Sequence, residues 1–195
     1  MIAVIDYKTG NLRSVKNALS RLGGDYVVTG DADVIRAASH VILPGVGEAG
    51  QAMSSLRESG LVDVIFGLTQ PVLGICIGMQ LMCRSSQEGN TKCMGIFDTD
   101  VVKMEPAPGL KVPHMGWDTI EKLASPLFSD MQDGAYVYYV HSFAPELCGN
   151  TVAVTDYGTP FSAALQNRNF FGTQFHPEKS GPVGGKILTN FLSML

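Results

Sequence analysis

Pro71-Val72-Leu73-Gly74-Ile75-Cys76-Ile77-Gly78-Met79-Gln80 is a short apolar run that enters a Gly-x-Cys-x-Gly turn and continues as a helical pattern. A tight strand-to-helix turn has room for a side chain at its apex only where the flanking positions are small, which Gly74 and Gly78 supply. The spacing therefore predicts a presented, not buried, thiol at Cys76. At a helix N-terminus that thiol meets unpaired N–H groups and the positive end of the macrodipole, both of which favour the reactive thiolate. Cys76 is the candidate nucleophile; the plainer alternative is a structural cysteine beside a tight turn.

Around this stretch, strand-like and helix-like patterns alternate. Ile2 to Asp6 reads as a strand, Leu12, Val15, Leu19 and Leu22 recur at helical spacing, Val41 to Leu43 is again strand-like, a helix follows over Glu48 to Arg57, and Pro71 to Ile75 completes the series. Such βαβα order predicts an α/β fold with a mostly parallel central sheet flanked by helices. Ligands of these sheets bind beyond the carboxyl ends of the strands, where Cys76 lies. The second half predicts additional, antiparallel strands at Thr99 to Met104, Ala135 to His141, Thr151 to Asp156, Phe161 to Gln166 and Phe170 to Phe175. A closing helix from Pro182 to Leu195 carries Val183, Ile187, Leu188, Phe191, Leu192 and Leu195 on one apolar face. No repeat or linker interrupts the run, and Glu105 to Gly109 reads as a rigid loop, so residues 1–195 are expected to form one domain.

At 195 residues, with 45% hydrophobic and 16% charged side chains, the chain has ample material for a buried core. A formal net charge of −4 without a basic stripe excludes nucleic acid as an expected partner. The opening apolar run meets Asp6 too soon for a signal-peptide core, and no stretch is long enough to span a bilayer, so no membrane is expected and the location reads as cytoplasmic. Cys76, Cys83, Cys93 and Cys148 show no paired spacing, so free thiols are expected, with neither a metal site nor a cofactor. Cys83, further along the helix begun after Cys76 and among apolar neighbours, is expected to be inert.

A cysteine nucleophile needs a general base and a group to orient it. His176 follows a strand and precedes Pro177, which biases it toward an extended conformation. In extended backbone, positions i and i+2 share a face, so Glu178 can turn back to the imidazole. The competing reading makes His-Pro-Glu a surface turn, and His141, at the end of Tyr136 to Val140, remains a rival base. His40 reads as a helix end or strand cap, and His114, after Pro113, as a loop residue. Leu43-Pro44-Gly45-Val46-Gly47 ends another apolar strand. Attack on a carbonyl creates an oxyanion, and the expected donors are the N–H of Ile77 and one from the Val46–Gly47 stretch.

With these sites in view, the chain resembles the class I (triad) glutamine amidotransferases, on Gly74-Ile75-Cys76-Ile77-Gly78-Met79-Gln80 and Gln174-Phe175-His176-Pro177-Glu178. Asp6-Tyr7, Gly10 to Val15, Pro113 to Trp117, Tyr139 to Ser142 and His176 to Gly181 bring it nearest to the glutaminases that serve the cyclase of histidine biosynthesis. The resemblance implies hydrolysis of L-glutamine to glutamate and ammonia through a thioester on Cys76, with His176 moving the proton and Glu178 orienting it. It further implies that Gln80, Glu88 and backbone near Ser142 and Phe143 bind glutamine. A (β/α)8 cyclase takes the ammonia in a heterodimer and forms imidazole glycerol phosphate and AICAR; Asn11, Ser14, Trp117 and Lys179 match positions of that interface. Lys8-Thr9 and Asp118 depart from the pattern, where many relatives carry a small pair and Asn. The alternatives are a glutaminase of another class I amidotransferase or an α/β cysteine hydrolase or peptidase.

Overall fold

The structure, a computed structural model, describes residues 1–7, 12–45, 47–106 and 109–194. Its first half runs β1 (Ile2–Ile5), α1 (Arg13–Arg21), β2 (Tyr26–Thr29), α2 (Ala32–Ala37), β3 (His40–Leu43), α3 (Ala49–Glu58), α4 (Leu61–Phe66), β4 (Val72–Ile75) and α5 (Ile77–Gln80). The second half runs β5 (Ser85–Ser86), β6 (Thr91–Lys92), β7 (Asp100–Lys103), β8 (His114–Ile120), β9 (Ala135–His141), β10 (Phe143–Pro145), β11 (Thr151–Asp156), β12 (Pro160–Asn167), β13 (Phe170–Thr173) and α6 (Gly181–Leu192).

Among the described residues, the main sheet has seven strands in the order β11-β12-β13-β4-β3-β1-β2. From β13 to β2 every pairing is parallel, while β11, β12 and β13 pair antiparallel. β1, β3, β4 and β13 are buried along their whole length, which explains their continuous apolar sequence: a strand covered by helices on both faces has no solvent side on which to alternate. β7, β10, β5 and β6 form a second sheet, and β8 with β9 a two-stranded antiparallel ribbon. The mixed α/β architecture agrees with the sequence reading.

α6 begins after Ser180 with Pro182 in its first turn, where a missing N–H costs nothing, and buries Ile187, Leu188 and Phe191. Each such side chain contributes about 1.5–3 kcal/mol of transfer free energy. The helix ends at Leu192, earlier than its apolar stripe suggests. The periodicity misses β2, α2, α4, β5, β6, β8 and β10. α2 and α4 have six residues each, too few for two turns, and β2 is only half-buried along its length. His114, expected in a loop, opens β8 and is buried, because its ring stacks on Tyr157 at 3.8 Å and on Tyr139 at 4.6 Å. His40 opens β3. No helix among the described residues is long and apolar enough to cross a membrane.

The end of β3 and the start of α5 touch backbone to backbone. A Cβ on Gly78 would collide with the carbonyl oxygen of Leu43, and one on Gly45 would meet the backbone nitrogen of Gly78. Gly78→Ala, favourable for an isolated helix, should therefore destabilise the protein by about 1–3 kcal/mol through overpacking. Gly149→Ala, in open space, should leave it unchanged. Urea unfolding of the two variants beside the parent checks this; equal midpoints would show that the close approach costs nothing to relieve.

Candidate active site

Cys76 sits between β4 and α5 with φ 53° and ψ −111°, a conformation in which a non-glycine residue stores about 1–3 kcal/mol of strain. Its N–H donates to the Thr173 carbonyl of β13 at 2.7 Å, and its carbonyl accepts from the Gln80 N–H at 3.1 Å. The strained residue is thus tied at both ends, once to the sheet and once to the helix it begins. The side chain is buried, 5% exposed, rather than presented as the sequence pattern implies. It lines a cavity of about 360 Å³, so exclusion from bulk water and access to a small substrate coexist.

His176 and Glu178 share that corner. His176 Nδ1 lies 2.8 Å from Glu178 Oε1, and both side chains are buried. The contact does not arise from strand alternation: β13 stops at Thr173, and Pro177–Lys179 form a 3-10 turn that folds Glu178 back onto the ring. His176 is no surface turn. Burial alone would lower its pKa, but hydrogen bonds to Cys76 and Glu178 outweigh that and raise it to about 9. The ring is therefore an imidazolium at neutral pH, with the sulfur on one side and a carboxylate on the other. His141, the rival base, is pushed to about 3, chiefly by burial, and stays neutral.

Other residues named from the sequence line the same cavity. Gly45, Gly47 and Ile77 line the cavity with Cys76; Ile77 is the first residue of α5, where a helix leaves its N–H groups without intrahelical partners. Gly47 has φ 101°, open to glycine and costly for other residues. Val46 lies outside the described residues, as do Asn11, Lys8 and Thr9. The Pro44 carbonyl accepts from the Tyr7 hydroxyl at 2.7 Å, which anchors one end of this loop.

Gln80, Glu88, Ser142 and Phe143 form further walls. Gln80 Nε2 donates to the Phe143 carbonyl and to Gln174 Oε1, each at 2.9 Å, while Gln80 Oε1 is buried without a partner. Glu88 Oε2 accepts from the Ala49 N–H at 2.8 Å, at the start of α3, where Glu48 also receives the N–H groups of Gly50 and Gln51. Burial raises the Glu88 pKa, the Ala49 N–H opposes this, and neighbouring Glu48 adds to it. Cys83 lies beyond α5, which ends at Gln80, and burial raises its pKa; Cys93 is likewise pushed up to about 11.

Trp117 is 55% exposed on the β8–β9 ribbon, beside exposed Met115 and Tyr136. Its ring meets Tyr138 edge-on at 5.9 Å, and Lys179 Nζ stands 6.0 Å from the Tyr138 centroid. Ser14 lies half-buried on α1. Two residues at the centre are not legible from the sequence as individuals. Gln174 enters there only as part of the signature that contains His-Pro-Glu, and its carboxamide lies against Cys76 Sγ at 3.6 Å. His114 contacts His141 through its Nδ1 at 3.2 Å. No periodicity signals either contact, because the partners stand 98 and 27 positions apart in the sequence.

The model of the glutamine amidotransferase class-I family matches residues 3–195. The imidazole glycerol phosphate synthase subunit HisH of Bacteroides fragilis (strain ATCC 25285) is 56% identical over 194 residues, covering 99% of both chains. That of Escherichia coli (strain K12) is 49% identical over 195 residues, again covering 99% of both. Among solved structures, a glutamine amidotransferase superposes with a TM-score of 0.76 at 16% identity, over 98% of this chain and 97% of the other. A putative GMP synthase subunit from Thermoplasma acidophilum superposes with a TM-score of 0.72 at 21% identity, over 98% and 91%. These two likenesses bear on the fold alone. The family model spanning nearly every residue, and relatives alike over their full lengths, place this chain in the class-I glutamine amidotransferase family.

Proposed function

We propose that residues 1–195 form one glutamine amidotransferase domain that works as the glutaminase subunit of an imidazole glycerol phosphate synthase. The observation that carries the chemistry is the buried cysteine on a strained elbow, hydrogen-bonded to an imidazolium that a buried carboxylate holds. The full-length likeness to synthase subunits supports the place of that chemistry in histidine biosynthesis.

In this reading the Cys76 sulfur attacks the side-chain carboxamide carbon of L-glutamine. The carbonyl oxygen takes up the negative charge and is met by N–H groups of Ile77 and of the Val46–Gly47 stretch, an arrangement typically worth about a hundred- to a thousandfold in rate per donor. His176 gives its proton to the departing nitrogen, and ammonia leaves a glutamyl thioester on Cys76. The ring, now neutral, takes a proton from water as it attacks the thioester, and glutamate departs with the thiolate restored. Glu178 keeps the proton on Nδ1 and the ring aimed at sulfur throughout. The unpartnered Gln80 oxygen and the Glu88 carboxylate suit the ammonium group of the amino acid. Backbone N–H groups near Ser142 and Phe143 suit its carboxylate.

Ammonia released into water at neutral pH is mostly ammonium, which is no nucleophile, so a glutaminase of this kind works against a partner that receives its product. The receiving (β/α)8 cyclase, an architecture of about 250 residues, is assigned to a partner subunit, in keeping with relatives named as synthase subunits. The exposed Trp117, with Lys179, Ser14 and Asn11, is assigned to that contact; a large exposed aromatic among apolar neighbours is the kind of surface that interfaces bury.

Cys76→Ser should abolish glutamine-dependent synthesis by the complex while synthesis from added ammonium salts at alkaline pH continues; loss of both at equal folded content would refute the division of labour. A chloroketone analogue of glutamine should label Cys76 ahead of Cys83, Cys93 and Cys148, as peptide mapping reads directly. Glu178→Gln removes a charge that favours the His176 imidazolium, so the ring should lose its proton at a lower pH than the parent's value of about 9. The alkaline limb of the kcat/KM profile should move to lower pH, with turnover down by about a hundredfold or more. An unmoved limb would show that Glu178 does not act on the ring.

A further inference from the structure

Beyond the triad, a run of hydrogen bonds crosses the floor of the cavity from β8 to the sulfur. His114 Nδ1 lies 3.2 Å from His141 Nε2, and His141 Nδ1 lies 2.9 Å from the Phe143 carbonyl oxygen. That oxygen also accepts from Gln80 Nε2 at 2.9 Å, which reaches Gln174 Oε1 at 2.9 Å, and Gln174 Nε2 lies 3.6 Å from Cys76 Sγ. Every side chain named here is buried, apart from half-buried Phe143, which takes part only through its backbone.

The direction of each bond follows from the atoms available. A carbonyl oxygen only accepts, so His141 carries its proton on Nδ1; His114, 3.2 Å from its Nε2, also reaches Asp118 Oδ2 at 3.2 Å through its own Nε2. Gln80 faces two oxygens with one end of its carboxamide; that end must be NH2, since a flipped amide would set oxygen against oxygen at 2.9 Å. Gln174 is then bound to turn its own oxygen to Gln80. Its NH2 is left facing the sulfur.

We infer that Gln174 is a further catalytic residue, which holds charge on the Cys76 sulfur with an N–H donor, and that His141 is a positioning residue which supports the donor's orientation through Phe143 and Gln80. The inference rests on the reading of Cys76 as nucleophile and adds a second donor to the sulfur, beside His176. The other titratable groups around the sulfur are His176 and, across the cavity, His141, Glu88 and Lys179. Gln174 donates without titrating, so its support for the thiolate is constant with pH. The positional role explains why a second buried imidazole, His141, lines the site while only His176 is poised to move a proton.

The test reads thiol chemistry rather than turnover, so it fails or succeeds independently of the glutaminase assignment. The rate of alkylation of Cys76 by iodoacetamide, followed by peptide mass spectrometry from about pH 5 to about pH 10, is measured on the full chain. Gln174→Glu keeps the volume and the acceptor for Gln80 but sets a carboxylate against the sulfur; Gln174→Met removes the donor alone. Both should slow alkylation at neutral pH by about tenfold to a hundredfold, the worth of one hydrogen bond to a charged group, and move the profile to higher pH. His141→Asn retains a donor where Nδ1 stood and should stay near the parent rate. His141→Gln, closer to histidine in volume, lacks that donor and should fall with the Gln174 variants. Parent-like profiles in both Gln174 variants would overturn the donor role, and a reversed order of the His141 pair would overturn the relay. Long-range proton–nitrogen spectra of the parent protein guard against variants that fail to fold: His141 protonated on Nε2 rather than Nδ1 would sink the relay outright.

Discussion

The turn at Cys76 exists because two backbones pass closer than a side chain permits. The Gly78 Cα faces the Leu43 carbonyl at the end of β3, and the Gly45 Cα faces the Gly78 nitrogen in return. That mutual approach brings the end of β3 against the first turn of α5, so Gly45, Gly47 and Ile77 line one cavity with Cys76. The strain of a positive φ at Cys76 is held by hydrogen bonds to Thr173 and Gln80.

The site is charged where it is dry. Imidazolium and carboxylate are both buried, which is tolerable because each has its partner within hydrogen-bond distance. The same pairing sets the proton inventory: burial favours neutral rings, and it prevails at His141, while sulfur and carboxylate together overcome it at His176. Two buried histidines lining one cavity thus hold different charge states, because only His176 has neighbours that outweigh its burial. The unpartnered buried oxygens of Gln80 and Glu178 mark where the polar network is incomplete without a ligand or a water.

Much of this architecture is legible in the chain. The central strands announce themselves as continuous apolar runs, and the Gly-x-Cys-x-Gly turn marks the nucleophile because only glycine fits on both sides of it. His-Pro-Glu is legible as a candidate pair, although by the wrong geometry: a 3-10 turn, not an extended strand, joins the two side chains. His114 reads as a loop residue and is not one, since what buries it is a stack of Tyr139 and Tyr157 from other parts of the chain. The short helices α2 and α4 leave no period to find.

Local sequence alone determined what local sterics control: where the elbow falls, which strands are central, which residue type attacks, and which family the motifs resemble. Tertiary structure decided what depends on contacts between distant segments. It selected His176 over His141 as the charged ring, buried a thiol that the turn pattern predicts as exposed, and set Gln174 against the sulfur. Those outcomes follow from burial and hydrogen-bond partners, and these become defined only when β4, β9 and β13 converge on one cavity. A residue's type sets what it can donate or accept; the fold alone sets what stands opposite.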